Sequence, residues 1–587
     1  MARDFFDSIT KFLGLRESEA GEGRFTKGES PRMKNLKITP HYTLMKRKGY
    51  TTLFKESSQG RGIWCGNLKN SNRLIWVVGN EVRELKGDYY KVLGKLESSK
   101  GNVTLFKFDT KLYFLDGVKI KFYDGETFGN ITPYIPLVAI SCDYLGAGVG
   151  FEDVNLLTGT KRQSFTMDGV HSYVKLLEKE IDSVDSVKYQ GKELSKSFYE
   201  VNLLNGSVSF DEDAVKDTSP DAVEITYTKN AEGMAECIHR MKYAVLYGGD
   251  NDTRIFLWGD GEYPLHVRYS GVCGGETSMD YFPELNFNKI PSATQVTSLV
   301  RHYDRLMIFC EGETYFSYGE NKSDANGKEY TVFPVKTLSS EIGCKAKNFA
   351  KLIDNTPVTV MTGSLYKWSS SAIRDERNAR EFGERIRVGL KKMNMNNIRS
   401  FDRTGTKELY LWQGEDIYVY NYALDVFYYY TGFSPYDFAE DDGGRLYFVS
   451  RDGSLCTESD KGYDGESEIE FLWEGNYEDF HGLDTKNIHT LEFEIFPVSA
   501  TSFDISFVSE RQSSRHEKIE SFYKLFDFEN FDFSKMSFLT AVTPVRLHKR
   551  IKAKRLRGFK LVIKNLNSTP DFHLLKIGVE GRVTYVR

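Results

Sequence analysis

The stretch NDTRIFLWGDGEYPLHVRYSG (251–271), followed closely by MDYFPELNF (279–287) and VRHYDRLMIFCEGETYFSY (300–318), decides the fold class. Ile255 to Trp258 is a short apolar run and Gly259-Asp260-Gly261 a turn. Leu306 to Phe309 is a second run, Gly312 a turn, and Thr314 to Tyr318 a third run. Short aromatic strands separated by Gly/Asp turns, with no helix between them, predict an all-β propeller, barrel or sandwich.

Composition agrees. The chain has 587 residues, too many for one ordinary domain. Its 35 Tyr and 41 Phe favour strands, because aromatic side chains fit a half-buried pleated surface. Fifty Gly against 14 Pro predict many tight turns. A net charge of −5 does not mark a dedicated nucleic-acid binder. The seven cysteines, Cys65, Cys142, Cys237, Cys273, Cys310, Cys344 and Cys456, show no C-x-x-C spacing and read as free, mostly buried thiols. The first residues carry Asp4 and Asp7 where a secretory leader needs a positive region, and no apolar run is long enough to span a bilayer.

Along the chain, Phe5, Phe6, Ile9, Phe12 and Leu13 recur at helical spacing, so residues 3–14 are expected to form a short amphipathic helix. Either it docks on its own domain, or it is an arm that reaches a neighbouring subunit on the Gly/Ser-rich tether behind it. Phe5, Phe6, Ile9 and Phe12 are accordingly candidate subunit contacts. Residues 46–140 continue as strands. LYFLDGVKIKFYDG (112–125) is a hairpin turning at Asp116-Gly117. Residues 141–228 change character, with hairpin signals at Gln190-Gly191 and Asn205-Gly206, and read as an inserted β-sandwich. HSYVKLLEKEIDSV (171–184) allows a short helix there as the alternative. Residues 229–465 return to strand–turn–strand units, except 373–398, whose charged pattern fits a loop helix. Residues 466–587 end the chain in strictly alternating strands, a C-terminal β-sandwich.

These pieces carry a resemblance. The order RIFLWG, YFPE, YDRLMIF is similar to that in the large β-rich structural proteins of tailed phages, the tail nozzle or packaged-DNA stabilization family. So is the opening GESPRMKNLKITPHYTLMKRKGY (28–50), through Gly28, Glu29, Ser30, Pro31, Met33, Asn35, Leu44, Lys46, Arg47, Gly49 and Tyr50. The resemblance implies a propeller interrupted by the insertion, with residues 1–45 as N-terminal arm and entry strand. At the usual repeat length, residues 46–140 and 229–465 give about seven blades. It further implies a virion protein made in the bacterial host cytoplasm and assembled as a homo-oligomer, with a hexamer favoured. Its neighbours would be a portal adaptor or tail tube, and packaged DNA would pass without sequence recognition.

The search for chemistry returns little. No P-loop, H-E-x-x-H, G-x-S-x-G or EF-hand pattern occurs, and no cofactor is implied. Gly146, Gly148 and Gly150 read as a loop, Asp250 and Asp252 as a turn, and His239, His266 and His302 as isolated residues. A glycosidase would need two carboxylates facing one cavity. SRDGSL (450–455) lacks the aromatic that anchors an Asp-box turn. The expectation is a non-enzymatic protein. RLHKRIKAKRLRGFK (546–560) is the one strongly basic run. Its Lys549, Arg550, Lys552, Lys554, Arg555 and Arg557 are either a solvated strand face or a docking patch for an acidic subunit or DNA phosphates. The alternative function is a receptor- or carbohydrate-binding tail adhesin, with or without depolymerase activity. The chain lacks the heptads and collagen-like runs of fibrous adhesins.

Overall fold

The computed structural model describes residues 3–17, 25–211, 214–249, 252–273, 276–323, 329–370, 377–477, 484–496, 501–509, 515–521, 544–565 and 572–584. The architecture is all-β, built from many small antiparallel sheets, and the helical segments among the described residues are three or four residues long. The chain divides into two compact units. One comprises Met1–Gly66, Asn72–Gly79 and Glu341–Arg587, and the other comprises Asn67–Ser71 and Asn80–Ser340.

In the second unit three sheets are four-stranded. One is formed by Thr104–Phe108, Lys111–Leu115, Lys121–Tyr123 and Phe128–Asn130. The others run Tyr243–Gly249, Asp252–Trp258, His266–Tyr269, Phe287–Lys289, and Val296–His302, Arg305–Cys310, Thr314–Ser317, Val335–Ser339. The turn at Asp116-Gly117 forms as its residues dictate. Asp116 accepts from the amides of Val118 and Lys119, and Gly117 sits at φ +81°. The deciding stretch around Asp252 thus supplies neighbouring strands of one sheet, with Phe256 and Tyr269 stacked at 5.2 Å.

Residues 137–228 build two further sheets. One is six-stranded, with Thr160–Phe165, Val223–Thr228 and Ser183–Tyr189 at its centre, and the other is the three-stranded set Tyr173–Lys175, Ser207–Phe210, Tyr199–Asn202. Between them lies an apolar core containing Phe165, Val174, Val187, Val208, Ile225 and Tyr227. Gln190 and Gly191 both take positive φ at the hairpin the sequence marks. The helix considered over 171–184 does not form, because Val174 and Leu176 turn into this core from an extended segment.

The first unit holds two more four-stranded sheets and a six-stranded one. Lys351–Ile353, Thr356–Met361, Ser364–Ser370 and Arg377–Glu381 make one, and Arg399–Arg403, Glu408–Gln413, Asp416–Asn421 and Val426–Tyr430 another. In the third, Pro435–Glu440, Leu446–Ser450 and Leu455–Ser459 are joined by Gly49–Phe54, which pairs antiparallel along Leu455–Ser459 from some 400 residues earlier in the chain. The helix expected over 373–398 is corrected. Residues 371–376 lie outside the described residues, Arg377–Glu381 is a strand, and only the short turns Gly383–Ile386, Arg387–Leu390 and Met395–Asn397 are helical. Close packing limits them: a Cβ on Gly389 would meet the Tyr418 hydroxyl at 1.7 Å.

Two further sheets of this unit face each other. The six-stranded sheet runs Leu36–Ile38, Leu44–Lys46, His573–Val583, Lys486–Ile495, Val545–Leu556, with Arg3–Ile9 also on His573–Val583. The five-stranded sheet runs Arg32–Lys34, Leu472–Glu474, Phe559–Asn565, Thr501–Ser509, Arg515–Ser521. Phe493 of the first meets Phe503 of the second at 5.5 Å, and Phe503 meets Phe572 at 5.4 Å. The N-terminal segment is therefore a strand of the same sheet as the C-terminal strand. The helix expected over residues 3–14 is instead the strand Arg3–Ile9, in seven-residue register with Ile577–Val583.

Candidate interaction surface

The basic run lies on the strand Val545–Leu556, which among the described residues pairs only with Lys486–Ile495 and is an edge of the six-stranded sheet. Strand alternation sorts its side chains. Ile551, Ala553 and Leu556 are buried, while Arg546, Arg550, Lys552, Lys554, Arg555 and the following Arg557 are exposed. Lys549 is half-buried. The register slips twice: Lys486 faces Leu556, Ile488 faces Ala553 and Thr490 faces Arg550. Three residues of the basic strand thus oppose two of its neighbour in each interval, the mark of a β-bulge. One bulge places Arg555 at φ +55°, its amide donating to Asn487 Oδ1 at 2.8 Å.

Electrostatics separate these cations. Arg546 lies 3.6 Å from Glu492 and 3.9 Å from Glu494. Lys560 pairs with Glu474, and Lys564 with Asp504 at 3.6 Å. Arg550, Lys552, Lys554, Arg555 and Arg557 have no carboxylate within ion-pair distance among the described residues. Charged side chains and bulges on an edge discourage strand addition. The surface therefore presents side-chain charge rather than a free backbone ladder.

The four N-terminal candidates separate as well. Phe5, Ile9 and Phe12 are buried within their own unit, Phe12 edge-on to Trp473 at 5.5 Å. Phe6 is 52% exposed, lies against Gly578, and has the Lys576 ammonium 5.3 Å from its ring centre. Of the four, Phe6 alone keeps substantial surface. The strand is held further by Asp4, whose carboxylate accepts from Arg582 Nε at 2.6 Å; that hydrogen bond lowers its pKa.

Sequence reasoning missed a buried polar junction. Arg47 and Asp464 are paired at 4% and 5% side-chain exposure. Arg47 also donates from Nε to Asn35 Oδ1 at 2.9 Å and from Nη2 to the Thr431 carbonyl at 2.9 Å, with its guanidinium 4.9 Å from the Phe433 ring centre. Asn35 donates to the Glu470 carbonyl at 2.7 Å, and Ser30 Oγ to the Glu474 carbonyl at 2.7 Å. Ser30, Asn35 and Arg47 are residues of the GESP…KRKGY stretch, so their presence in a short motif was the available signal.

Beside this junction, Glu408 and Glu458 line one cavity of about 50 Å³ with Lys37, Arg403 and Tyr410. Both carboxylates are engaged. Glu458 is held by two Arg403 nitrogens at 3.2 and 3.1 Å, and Glu408 accepts from Thr406 at 2.9 Å and from Tyr428. Burial lowers the Lys37 pKa, with Glu408 and Glu458 opposing. Such an arrangement fixes strands in place.

The other residues singled out are dispersed. His239 Nδ1 accepts from the Ile120 amide at 3.3 Å, His266 stacks on Tyr263 at 5.1 Å, and His302 is buried. Gly146 and Gly148 lie in the loop around Asp143, and Val149–Gly150 is a two-residue strand. Asp250 lies outside the described residues. No group of three or more metal-ligating side chains occurs among the described residues. Cys142, Cys310, Cys344 and Cys456 are buried free thiols, and burial pushes Cys456 up to about 12. The Cys273 side chain lies outside the described set.

No family model and no curated protein matches the chain. Among solved structures, one titled "Structure of U3-55K" is similar at 7% identity and a TM-score of 0.32, over 70% of this chain and 98% of that one. A likeness so slight carries no argument about fold or function.

Proposed function

We propose that the chain is a non-enzymatic structural protein of a tailed-phage virion, an interrupted seven-bladed propeller that assembles as a ring of six around the DNA conduit of the tail. The observation that carries the fold is the pairing of Gly49–Phe54 with Leu455–Ser459. An early strand that completes the last sheet of a series is how a propeller closes its ring and removes free edges. The second unit contributes three four-stranded sheets and the first unit two, besides the six-stranded sheet that Gly49–Phe54 joins, and the hairpin Glu81–Lys86/Tyr89–Lys95 supplies part of a further one. Support for the virion role is the resemblance of residues 28–50 and 251–318 to the nozzle and DNA-stabilization family. That support gains weight because Ser30, Asn35 and Arg47 have structural work at the junction.

In this reading the basic strand docks on an acidic face of an adjacent subunit or tail protein, and the conduit lets DNA slide without grip. Each phosphate neutralised would add salt-dependent affinity and hinder passage. The test is mass photometry and negative-stain averaging of the purified protein, followed by antibody labelling of virions. A six-fold ring located on the tail is expected. A stable monomer, a fibre, or label absent from the virion refutes the proposal.

A further inference from the structure

A second cleft, in the first unit, has about 160 Å³ of space between strand residues that form its floor and side chains from the segments that link strands. Its floor is fixed. Trp412 is buried and donates from Nε1 to the Pro435 carbonyl at 3.1 Å. Arg399 lies 3.8 Å from the Tyr436 ring centre and donates to the Tyr436 carbonyl at 3.1 Å. Gln413 accepts from the Asn394 amide at 2.9 Å. Its rim is different. The side chains of Gln59, Asn397 and Arg451 are exposed and make no hydrogen bond or ion pair with the described residues. No carboxylate lines the cleft.

We propose that this cleft binds one residue of an acidic saccharide, with its carboxylate on Arg451. Gln59 and Asn397 each offer an amide that both donates and accepts, which suits a hydroxyl that does the same. Arg399, stacked on the Tyr436 ring, adds a second positive charge to the lining. Arg451 supplies a planar fork for a carboxylate, and the lining has no like charge to oppose it. The space is smaller than a pocket for a drug-sized ligand and fits one ring. Binding would order the three rim side chains, while the fixed floor adds no ordering cost. This inference goes beyond the structural role proposed above. It does not depend on assembly, and it places a glycan contact on the same molecule.

The experiment is ligand-observed NMR on the full-length protein with methyl glucuronide, the methyl glycoside of N-acetylneuraminic acid, methyl glucoside and inorganic phosphate as probes. At least one of the two acidic glycosides is expected to bind, and methyl glucoside to bind more weakly. Arg451→Gln should lower affinity for the acidic probe about tenfold or more, the loss of a charge-assisted hydrogen bond. Asn397→Ala should weaken it several-fold. Both residues are exposed, so a folded variant is expected, checked by circular dichroism. Three results would each overturn the proposal: no binding of either acidic probe, equal binding by methyl glucoside, or displacement of the acidic probe by phosphate at equal concentration. Binding unchanged by Arg451→Gln would overturn the assignment of the carboxylate.

Discussion

Replacing Arg47 by Met tests the buried junction most directly. The variant keeps roughly the stem volume of Arg47 and removes the guanidinium. Asp464, at 5% exposure, would lose the partner that faces both of its oxygens. Breaking a buried pair from one side costs about 3–5 kcal/mol, because the remaining charge is uncompensated. The Lys48 and Thr431 carbonyls and Asn35 Oδ1 lose a donor as well, together worth about 1–2 kcal/mol. The single variant should therefore lose about 4–7 kcal/mol. In the double variant Arg47→Met/Asp464→Leu the stranded charge is gone, and replacing a buried pair by apolar residues is often neutral. The Lys48 and Thr431 carbonyls and Asn35 Oδ1 still lack that donor, so a loss of about 1–2 kcal/mol is expected. Burial pushes the Asp464 carboxyl up from its ordinary value, and Arg47 opposes that. The single-variant penalty should shrink as pH falls, since a protonated Asp464 needs no counter-charge. The assay is urea denaturation at several pH values. Hydrogen exchange in peptides covering 30–50 and 460–475 would identify the transition that contains the pair, because a chain of this size does not unfold in one step. Equal losses for the single and double variants would refute the reasoning.

Three further outcomes follow from the same structure. Burial holds Asp402 up to about 6, with the Tyr422 hydroxyl opposing, so its stabilising contribution is full below about pH 4 and lost as pH rises to about 6. Asp402→Asn should lack that loss, which is roughly 1–2 kcal/mol after allowance for partial exposure; identical pH–stability curves for the two proteins would sink this account. Phe12→Ala, at a fully buried site against Trp473, should cost about 3–5 kcal/mol and raise exchange in Arg3–Ile9, and a change under 1 kcal/mol would show the segment is not docked. Replacing Lys552, Lys554, Arg555 and Arg557 by Ser should leave monomer stability within about 1 kcal/mol while weakening assembly, whereas virions that form normally but eject DNA abnormally would place these side chains in the conduit.

Sequence alone determined what depends on neighbours along the chain. Asp116-Gly117, Gln190-Gly191 and the alternation of the basic strand are local, and each turned or alternated as its residues required. The tertiary structure decided the long-range pairings. Phe5 and Ile9 stand four apart, a spacing that puts two residues on one face of a helix and equally on one face of a strand. The choice fell to the unpaired edge of His573–Val583, which offered seven residues of ladder that no local pattern displays. The union of Gly49–Phe54 with Leu455–Ser459 was hidden for the same reason. The Arg47 junction was legible only as a motif, because the carboxylate and carbonyls that give its residues their roles come from Asp464, Glu470 and Thr431, some 400 residues away. The acidic-saccharide cleft was not legible at all. Gln59, Asn397 and Arg451 sit on separate loops, unremarkable singly, and only the folding of those loops to one place makes them a set.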